Sequence, residues 1–362
     1  ANKRCPSEIA DWLFRILVWQ SDELVVEQCF RCLCTVCLDQ PMGDSHGWCP
    51  SLQCVIEALL AYGATCNSLH LASILSDHHP SVLTSVIAFE TKCQTAREED
   101  DDDHNNNNNN NNNKHANDDG GAKSNTLRSR APLCCLHKML LIIKAVIEKQ
   151  PLSWARPDTD TDASDAPSKT FSVQDAKALV LLLLRLGVHS DGLGAIAIDI
   201  SWCVGALLET IPPQHLNSSV DFIARNICEI SSHHHDQVFL LRLLPLSHRG
   251  RQLTELSAKI ISKKHFEVEA PDDMDMPAME FFLKMMRGMQ PKITASGGGT
   301  YGDYYLLYSY YSIVDLCLYN EPYSASKPIP LAELCGFSSN NTGMFLLHHS
   351  KFKRGTNNLD GE

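Results

Sequence analysis

Apolar residues recur at helical spacing along most of the sequence, and this period constrains the fold more than any other feature. The three N-terminal apolar stripes are Ile9, Trp12, Leu13, Ile16 and Leu17; Val25, Cys29, Cys32, Leu33 and Val36; and Leu52, Val55, Ile56, Leu59 and Leu60. Such spacing is typical of the buried face of an amphipathic helix. No strand-like alternation of any length accompanies it. The sequence therefore predicts an all-α fold of about ten helices, arranged as an irregular α-solenoid or HEAT-like helical array.

Capping residues indicate where the N-terminal helices begin and end. Ser21 is the expected N-cap of the second helix and Ser51 that of the third, because a serine hydroxyl accepts a hydrogen bond from the first helical turn. Gly63 is the expected C-terminal stop of the third helix. These signals predict three short helices that share one core.

Residues 173–186 are apolar almost all round, so this segment is expected to form a helix at the centre of the core. Ser172 and Asp175 have the spacing of a capping box at its start, and Gly187 is expected to end it. The other predicted helices are 134–148, 195–211 (halted by Pro212 and Pro213), 219–230, 236–244, 250–264, 277–287 and 303–319.

Polar segments of low complexity divide this helical pattern. Nine consecutive asparagines, Asn105 to Asn113, lie between acidic runs, where nothing offsets the entropy of ordering the chain. The expected organisation is an N-terminal helical part (1–92), a disordered insertion (93–131), a main helical part (132–320) with a disordered loop (156–169), and a flexible tail (321–362). Because many acidic residues lie in the insertion and the loop, the formal net charge of -12 does not exclude a nucleic-acid partner.

Composition argues against a membrane or secreted protein. The longest apolar run, Ala178 to Leu184, ends at Arg185, far short of the ~20 residues of a membrane helix, and there is no signal peptide. The 15 cysteines are an odd number and lie mostly at apolar helical positions, so we expect a reducing compartment rather than a disulfide framework. Because the sequence starts at Ala1 without an initiator methionine, we expect it to be a fragment of a longer chain.

Two clusters of potential metal ligands have simpler structural interpretations. The cysteine cluster comprises Cys29, Cys32, Cys34 and Cys37. Cys29 and Cys32 share one face of a continuous helix whereas Cys34 points away, which favours core packing over zinc binding. The run His233 to His235 fans out around a turn and favours a helix start. No nucleophile elbow, Walker loop or HExxH motif is present, so we predict no enzyme activity, metal, cofactor or small-molecule substrate, with a zinc enzyme as the alternative.

A basic segment is the sharpest polar feature of the chain. Its basic residues are Arg242, Arg249, Arg251, Lys259, Lys263 and Lys264, accompanied by one acid, Glu255. One interpretation is a surface that contacts DNA phosphates or an acidic partner through Arg249, Arg251, Lys263 and Lys264. The other interpretation is a solvated helix face, or arginine side chains that cap the ends of neighbouring helices.

A tyrosine-rich helix follows this basic segment. Its tyrosines are Tyr301, Tyr304, Tyr305, Tyr308, Tyr310 and Tyr311. Core packing explains one face of the helix, that of Tyr304, Tyr308 and Tyr311. Because tyrosine is enriched at protein interfaces, Tyr305 and Tyr310 are candidate residues of a partner interface.

Several segments of the chain share their order and approximate spacing with a known family. They are Asp11-Trp12-Leu13-Phe14; Trp48-Cys49-Pro50-Ser51-Leu52 followed by Tyr62-Gly63; Glu229-Ile230-Ser231-Ser232-His233; Arg249-Gly250-Arg251-Gln252-Leu253 running into Ile260-Ile261-Ser262-Lys263; and Tyr304-Tyr305-Leu306-Leu307. Together they resemble the conserved CANIN domain of the SMC five/six complex localisation factor two family. The expected structural signature of that resemblance is Trp12, Trp48, Pro50, Gly63 and Gly250.

The resemblance implies a helical, non-catalytic relative of the yeast loader subunit called non-SMC element six. It further implies pairing with an element-five-like helical subunit, which in animals is localisation factor one or a SUMO-interacting relative. Such a pair docks on the SMC five/six complex and recruits it to damaged or foreign DNA in the nucleus. We therefore predict a scaffold subunit for DNA repair. The alternative is a direct DNA-binding module that uses the basic patch around residues 249–264.

Overall fold

The computed structural model describes most of the chain between residues 5 and 320, and this described part contains no strand. The described residues are 5–38, 48–62, 64, 72, 75, 80–88, 91, 133–149, 171–189, 196–265, 274–295 and 301–320. The prediction of an all-α helical array is confirmed for these residues, whereas the solenoid arrangement stays a prediction. The predicted insertion, the 156–169 loop, the 321–362 tail and Gly63 lie outside the described residues.

The helices occur close to the predicted positions. In chain order they are α1 (Ser7–Trp19), α2 (Glu23–Leu38), α3 (Leu52–Ala61), α4 (Leu133–Lys149), α5 (Val173–His189), α6 (Ala197–Thr210), α7 (Pro213–Ile230), α8 (His234–Arg242), α9 (His248–His265), α10 (Ala278–Ala295) and α11 (Tyr301–Asn320). Residues 80–88 are also helical. The largest differences are that α7 begins at Pro213 rather than at residue 219, and that α10 continues to Ala295 rather than ending at residue 287.

Pro212 and Pro213 end one helix and begin the next. Helix α6 stops at Thr210 as predicted, because a proline ring cannot continue it. Pro213 then occupies the first turn of α7, where its missing N–H has no intrahelical partner to lose and its fixed φ suits the helix. The first turn of α7 was not predicted, because the proline pair was interpreted only as a stop.

Side chains cap the helices at two of the three predicted positions. The Ser51 hydroxyl accepts from the Cys54 N–H at 3.2 Å. The capping box of α5 is complete, since the Ser172 N–H donates to the Asp175 carboxylate at 2.8 Å and the Asp175 N–H donates to the Ser172 hydroxyl at 3.1 Å. Both of these predictions are confirmed.

The predicted cap of α2 is wrong by one residue. The carboxylate of Asp22, rather than the hydroxyl of Ser21, accepts from the Leu24 N–H at 2.9 Å and from the Val25 N–H at 3.3 Å. Both side chains suit an N-cap, and an acid adds a favourable interaction with the positive end of the helix dipole.

The chain divides into two units, residues 1–257 and 258–362, with the boundary inside α9. In the first unit, α1 packs against α2, α3 and α4, and α2 also packs against α4. Helix α5 contacts α3, α6, α7 and α8. In the second unit, α10 packs against α11, where the rings of Phe281, Phe282 and Tyr310 meet edge to face.

Helix α5 is the centre of the first unit. All its residues from Ala178 to Leu186 are buried, on every side of the helix, as its apolar sequence predicts. Burying one leucine contributes about 2 kcal/mol, so this segment is a major source of the unit's stability. None of the described helices is long and apolar enough to cross a membrane.

Two glycines are sites of close packing. The prediction that Gly187 ends α5 is wrong, because the helix continues to His189; a Cβ at Gly187 would instead overlap the Leu243 side chain. At Gly250, in the first turn of α9, a Cβ would overlap the backbone carbonyl oxygen of Pro245. Any side chain at this position would therefore push apart the turn between α8 and α9.

We expect Gly250→Ala to lower the free energy of unfolding by about 2 kcal/mol, because a rigid backbone carbonyl blocks the added methyl group. Gly205→Ala is the matched control. Its added Cβ would meet the Pro245 side chain at 3.3 Å, a contact that small shifts and the better helix propensity of alanine offset. Urea denaturation measures both variants, and equal midpoints would contradict this account of Gly250.

Candidate partner-interaction surface

The first predicted apolar stripe is divided between the core and solvent, since its member Leu17 is buried as predicted whereas Ile9 and Trp12 are exposed. Ile9 is 48% exposed and Trp12 is 60% exposed, while Phe14 and Leu17 are fully buried. The prediction that Ile9 and Trp12 contribute to the core is therefore wrong. Helix α1 carries a second apolar face, and it is that face which packs inward.

Specific contacts fix this orientation of α1. The indole Nε1 of Trp48 donates to the Asp11 carboxylate at 2.9 Å, and its ring lies 6.0 Å from the ring of Phe14. The Tyr62 hydroxyl donates to the Val18 carbonyl at 3.3 Å, next to the buried Val18 side chain. Trp48 and Pro50 are buried, so these two signature residues support α1 from its inner side.

The outward side of α1 forms a continuous apolar strip. Ile9, Trp12, Ile16 and Trp19 follow one another at intervals of three and four residues, which places them on one side of the helix. Trp19 is 48% exposed, and Ile16 is partly exposed. We call these four residues the α1 face.

Exposed apolar residues continue into the start of α2. Leu24 is 77% exposed and Val25 is also exposed, whereas Val26 is fully buried. The second predicted stripe is thus wrong for Val25 and Cys32, which are exposed, and right for Cys29 and Leu33, which are buried. The third predicted stripe, on α3, is confirmed, since its last four members are all buried.

The charged residues beside the α1 face are mainly acidic. Glu8, Asp22 and Glu23 are exposed at the two ends of α1 and the start of α2. Arg15 is also exposed, and its guanidinium donates to the Cys54 sulfur of α3 at 3.6 Å. That sulfur, together with Glu57 and Asp11, raises the pKa of Arg15. Among the described residues around the α1 face, the exposed acids Glu8, Asp22 and Glu23 outnumber this cation.

The basic segment is only partly available at the surface. Arg249 is 8% exposed, and its guanidinium donates to the carbonyl oxygens of Leu208 (2.6 Å), Glu209 and Ile211 at the end of α6. It thus caps a neighbouring helix end, where a cation is favoured by the helix dipole. The proposed role of Arg249 in phosphate contact is wrong, because its donors are buried and engaged.

The remaining basic candidates differ in exposure. Lys259 is buried, and its amine donates to the carbonyls of Met274 (3.0 Å) and Met276 (2.6 Å). Arg251 is exposed and donates to the Leu246 carbonyl at 3.0 Å, Lys263 is partly exposed, and Lys264 is exposed. Gly250, between the two arginines, has the packing role described above.

The tyrosines of helix α11 differ in exposure in the same way. Tyr310 is 1% exposed and its hydroxyl donates to the Phe282 carbonyl at 2.9 Å, so its proposed role at an interface is wrong. Burial also raises the pKa of Tyr310. Tyr305 and Tyr308 are exposed, which corrects the expectation that Tyr308 packs in the core.

The rings of His233, His234 and His235 lie 4.3 to 5.3 Å apart, so they lie together rather than fan out as predicted. Cys29 and Cys32 lie three residues apart on the continuous helix α2, as predicted, with Cys29 buried and Cys32 exposed. His233 is the N-cap of α8 and accepts from the His235 N–H at 3.3 Å, which confirms the helix start. Within the described residues, no group of three or more histidine, cysteine or acidic side chains could hold a metal ion.

Two smaller apolar features lie elsewhere in the first unit. A concavity of about 250 Å³ lies between α2 and α4, lined mainly by apolar side chains such as Phe30, Leu141 and Ala145. On α6, Ile198 and Trp202 are exposed at a spacing of four residues, with the Lys144 amine 5.7 Å from the indole ring centre. Neither feature was predicted from the sequence.

A family comparison bears on the segment that contains the α1 face. Residues 1–115 match the model of the Coiled-coil and Nse Interacting (CANIN) domain. The match covers about a third of the chain, and it shows that this segment is similar to a CANIN domain. The resemblance inferred from the sequence is thereby confirmed, and the match is consistent with the SMC five/six localisation factor family. No curated protein matches the chain.

The CANIN match covers only part of the segments that suggested the resemblance. Trp12, Trp48 and Pro50 lie inside residues 1–115, while the block that begins at Arg249 and the α11 tyrosines lie beyond it. The description of the domain names interaction with Nse proteins, which implies an interaction function within the SMC five/six complex. The α1 face lies within this matched segment.

We expect Arg249→Ala to lower the free energy of unfolding by about 3 kcal/mol, because it removes the guanidinium donor from the Ile211 and Glu209 carbonyls and one of two donors from the Leu208 carbonyl. Arg249→Lys should recover part of this loss, since one amine cannot reach all three oxygens. Arg251→Ala is the control and should cost less than about 1 kcal/mol, because that side chain is exposed. Thermal or urea denaturation measures all three, and an unchanged Arg249→Ala variant would refute the capping role.

The cysteines should differ sharply in their rate of alkylation. Burial raises the pKa of Cys203 to about 12, and its thiol donates to the Leu140 carbonyl at 3.2 Å. Because the thiolate is the reactive form, iodoacetamide at about pH 8 should label the exposed Cys32 and Cys134 first and Cys203 only after unfolding. Mass spectrometry of peptides at successive times checks the order, and early labelling of Cys203 would contradict it.

Proposed function

We propose that this chain is a non-catalytic adaptor that pairs with an Nse-type, element-five-like subunit and brings the SMC five/six complex to damaged or foreign DNA in the nucleus. The observation that carries the proposal is the CANIN match over residues 1–115. The domain is named for Nse interaction, and the described part of the chain is helical, as the resemblance to that family implies.

The exposure of the α1 face supports pairing through the CANIN segment. Ile9, Trp12 and Trp19 are each about half exposed or more. Exposed apolar surface is stabilised when a partner covers it, at about 25 cal/mol per Å² before the cost of association is subtracted. Tryptophan is also among the residues that contribute most to binding at protein interfaces.

Recruitment to DNA is proposed to act through the complex rather than through a DNA-binding surface of this chain. Arg249 and Lys259 stabilise helix ends and turns by donating to backbone carbonyls. The exposed members of the basic segment, Arg242, Arg251 and Lys264, would support a secondary electrostatic contact with DNA. The function of the chain would then depend on which proteins it holds together.

The adaptor proposal predicts a stable pair between this chain and an element-five-like subunit from the same organism. Co-expressed with that subunit, the chain should co-elute as one species in size-exclusion chromatography, with a dissociation constant of about 1 µM or below. A helical protein of similar size without a CANIN domain is the control partner. Failure of the two chains to co-elute, when each is folded by circular dichroism, would reject the proposal.

A further inference from the structure

We infer that the α1 face receives an amphipathic helix of the Nse-type partner, and that basic residues flank the apolar stripe of that helix. The inference rests on the proposed function and specifies which surface of this chain is used and what chemistry the partner supplies. It follows from the spacing of the exposed apolar residues, from the area they present and from the charges around them.

The spacing of the α1 face suits a helix as its occupant. Ile9, Trp12, Ile16 and Trp19 lie along three turns of α1, a length of about 15 Å at 1.5 Å per residue. Two helices packed nearly parallel bury such a stripe by fitting the side chains of one between those of the other. An apolar stripe with the same spacing, over about three turns, is therefore the complementary surface.

The area of the α1 face indicates the centre of an interface rather than a whole interface. A tryptophan buries roughly 200 Å² when fully covered, so a half-exposed one offers on the order of 100 Å². The four residues then present about 300–400 Å², against about 800 Å² per partner in a stable complex. The exposed Leu24 and Val25 at the start of α2 extend the surface in the same part of the chain.

The charges beside the α1 face select among possible occupants. Glu8 is exposed near one end of α1, and Asp22 and Glu23 are exposed near the other; the exposed Arg15, which contacts Cys54, offsets only part of this negative charge. Lysine or arginine on both flanks of a partner helix would complement these acids. An anionic membrane surface would be repelled by them. In a two-fold contact between two copies of this chain, acids would face acids in either orientation of the helices.

The apolar part of the inference is tested with two matched double variants of the full chain. One replaces Ile9 and Trp12 by serine, and the other replaces Ile198 and Trp202 by serine on α6. Each pair contains one isoleucine and one tryptophan that are about half exposed or more, so each removes a similar exposed apolar area. Circular dichroism and denaturation midpoints verify that both variants fold.

Binding is measured by titration calorimetry against the purified element-five-like subunit. We expect the α1 variant to raise the dissociation constant at least 30-fold and the α6 variant to change it less than threefold. Equal effects of the two variants, or no effect of the α1 variant while the wild-type chain binds, would overturn the inference and leave the proposed function intact. Absence of wild-type binding would reject both.

The charge of the partner is tested with a single reversal at each of two exposed acids. Glu8→Lys should raise the dissociation constant about fivefold at 50 mM salt and much less at 500 mM, because salt screens exposed charges. Glu229→Lys, on α7, is the matched control and should have no comparable effect. Tighter binding by Glu8→Lys would show an acidic partner and overturn the inference.

Self-association of the wild-type chain and of the α1 variant, each without the partner, is measured by analytical ultracentrifugation. The inference requires that the α1 variant leave the oligomeric state unchanged. A wild-type dimer that the Ile9 and Trp12 substitutions dissociate would identify a second copy of this chain as the occupant of the α1 face, and would overturn the inference.

Discussion

Burial of α5 on all its sides is the constraint on which the first unit depends. A helix that exposes no face needs neighbours all round, and α3, α6, α7 and α8 contact it. The backbone N–H groups of its first turn have no acceptor within the helix and need acceptors from side chains or water. The reciprocal hydrogen bonds of Ser172 and Asp175 supply such acceptors. Near its other end, Gly187 leaves the space that the Leu243 side chain fills.

The ends of the helices around α5 carry backbone groups that polar side chains must pair by hydrogen bonds. Where Pro212 stops α6, the last carbonyl oxygens of that helix need donors from outside it, and the Ile211 N–H supplies one to the Leu208 carbonyl at 3.3 Å. Arg249 reaches three of these carbonyls from α9, and the close approach of Gly250 to Pro245 keeps the start of α9 in place. The segment that is most basic in the sequence is thus partly a structural element, which reduces the charge it offers to DNA.

Sequence periodicity predicts that α1 is a helix but does not predict which face is buried. Ile9 and Trp12 make one apolar stripe, and Ala10, Phe14 and Val18 make another; both have helical spacing. The choice between them depends on contacts from distant residues, such as Trp48 with Asp11 and Tyr62 with the Val18 carbonyl. The presence of two apolar stripes on one short helix was the available signal that one of them would face outward.

The same limit explains the other corrections. The sequence around Arg249 does not show whether this arginine faces DNA or caps a helix. The carbonyls at the end of α6 that accept its hydrogen bonds lie about forty residues earlier in the chain. A glycine after an apolar run suggests a helix end. Gly187 instead lies within α5, where its missing side chain leaves room for the side chain of Leu243. Signals that act within one helical turn, such as Ser51 and the Ser172–Asp175 pair, were predictable, since both partners are local in sequence.

The α1 face depends on parts of the chain outside the CANIN match. Within residues 1–115, α1 packs on α2 and α3, but α1 and α2 also pack on α4, and α3 packs on the buried α5. Lys138 of α4 forms an ion pair with Glu27 of α2 at 2.8 Å, and the Cys135 thiol of α4 donates to the Gln20 carbonyl at the end of α1. Removing α4 and α5 would expose the inner apolar side of α1, and its two stripes would then compete for the same partners. The helices beyond the matched segment therefore determine which side of α1 a partner can reach.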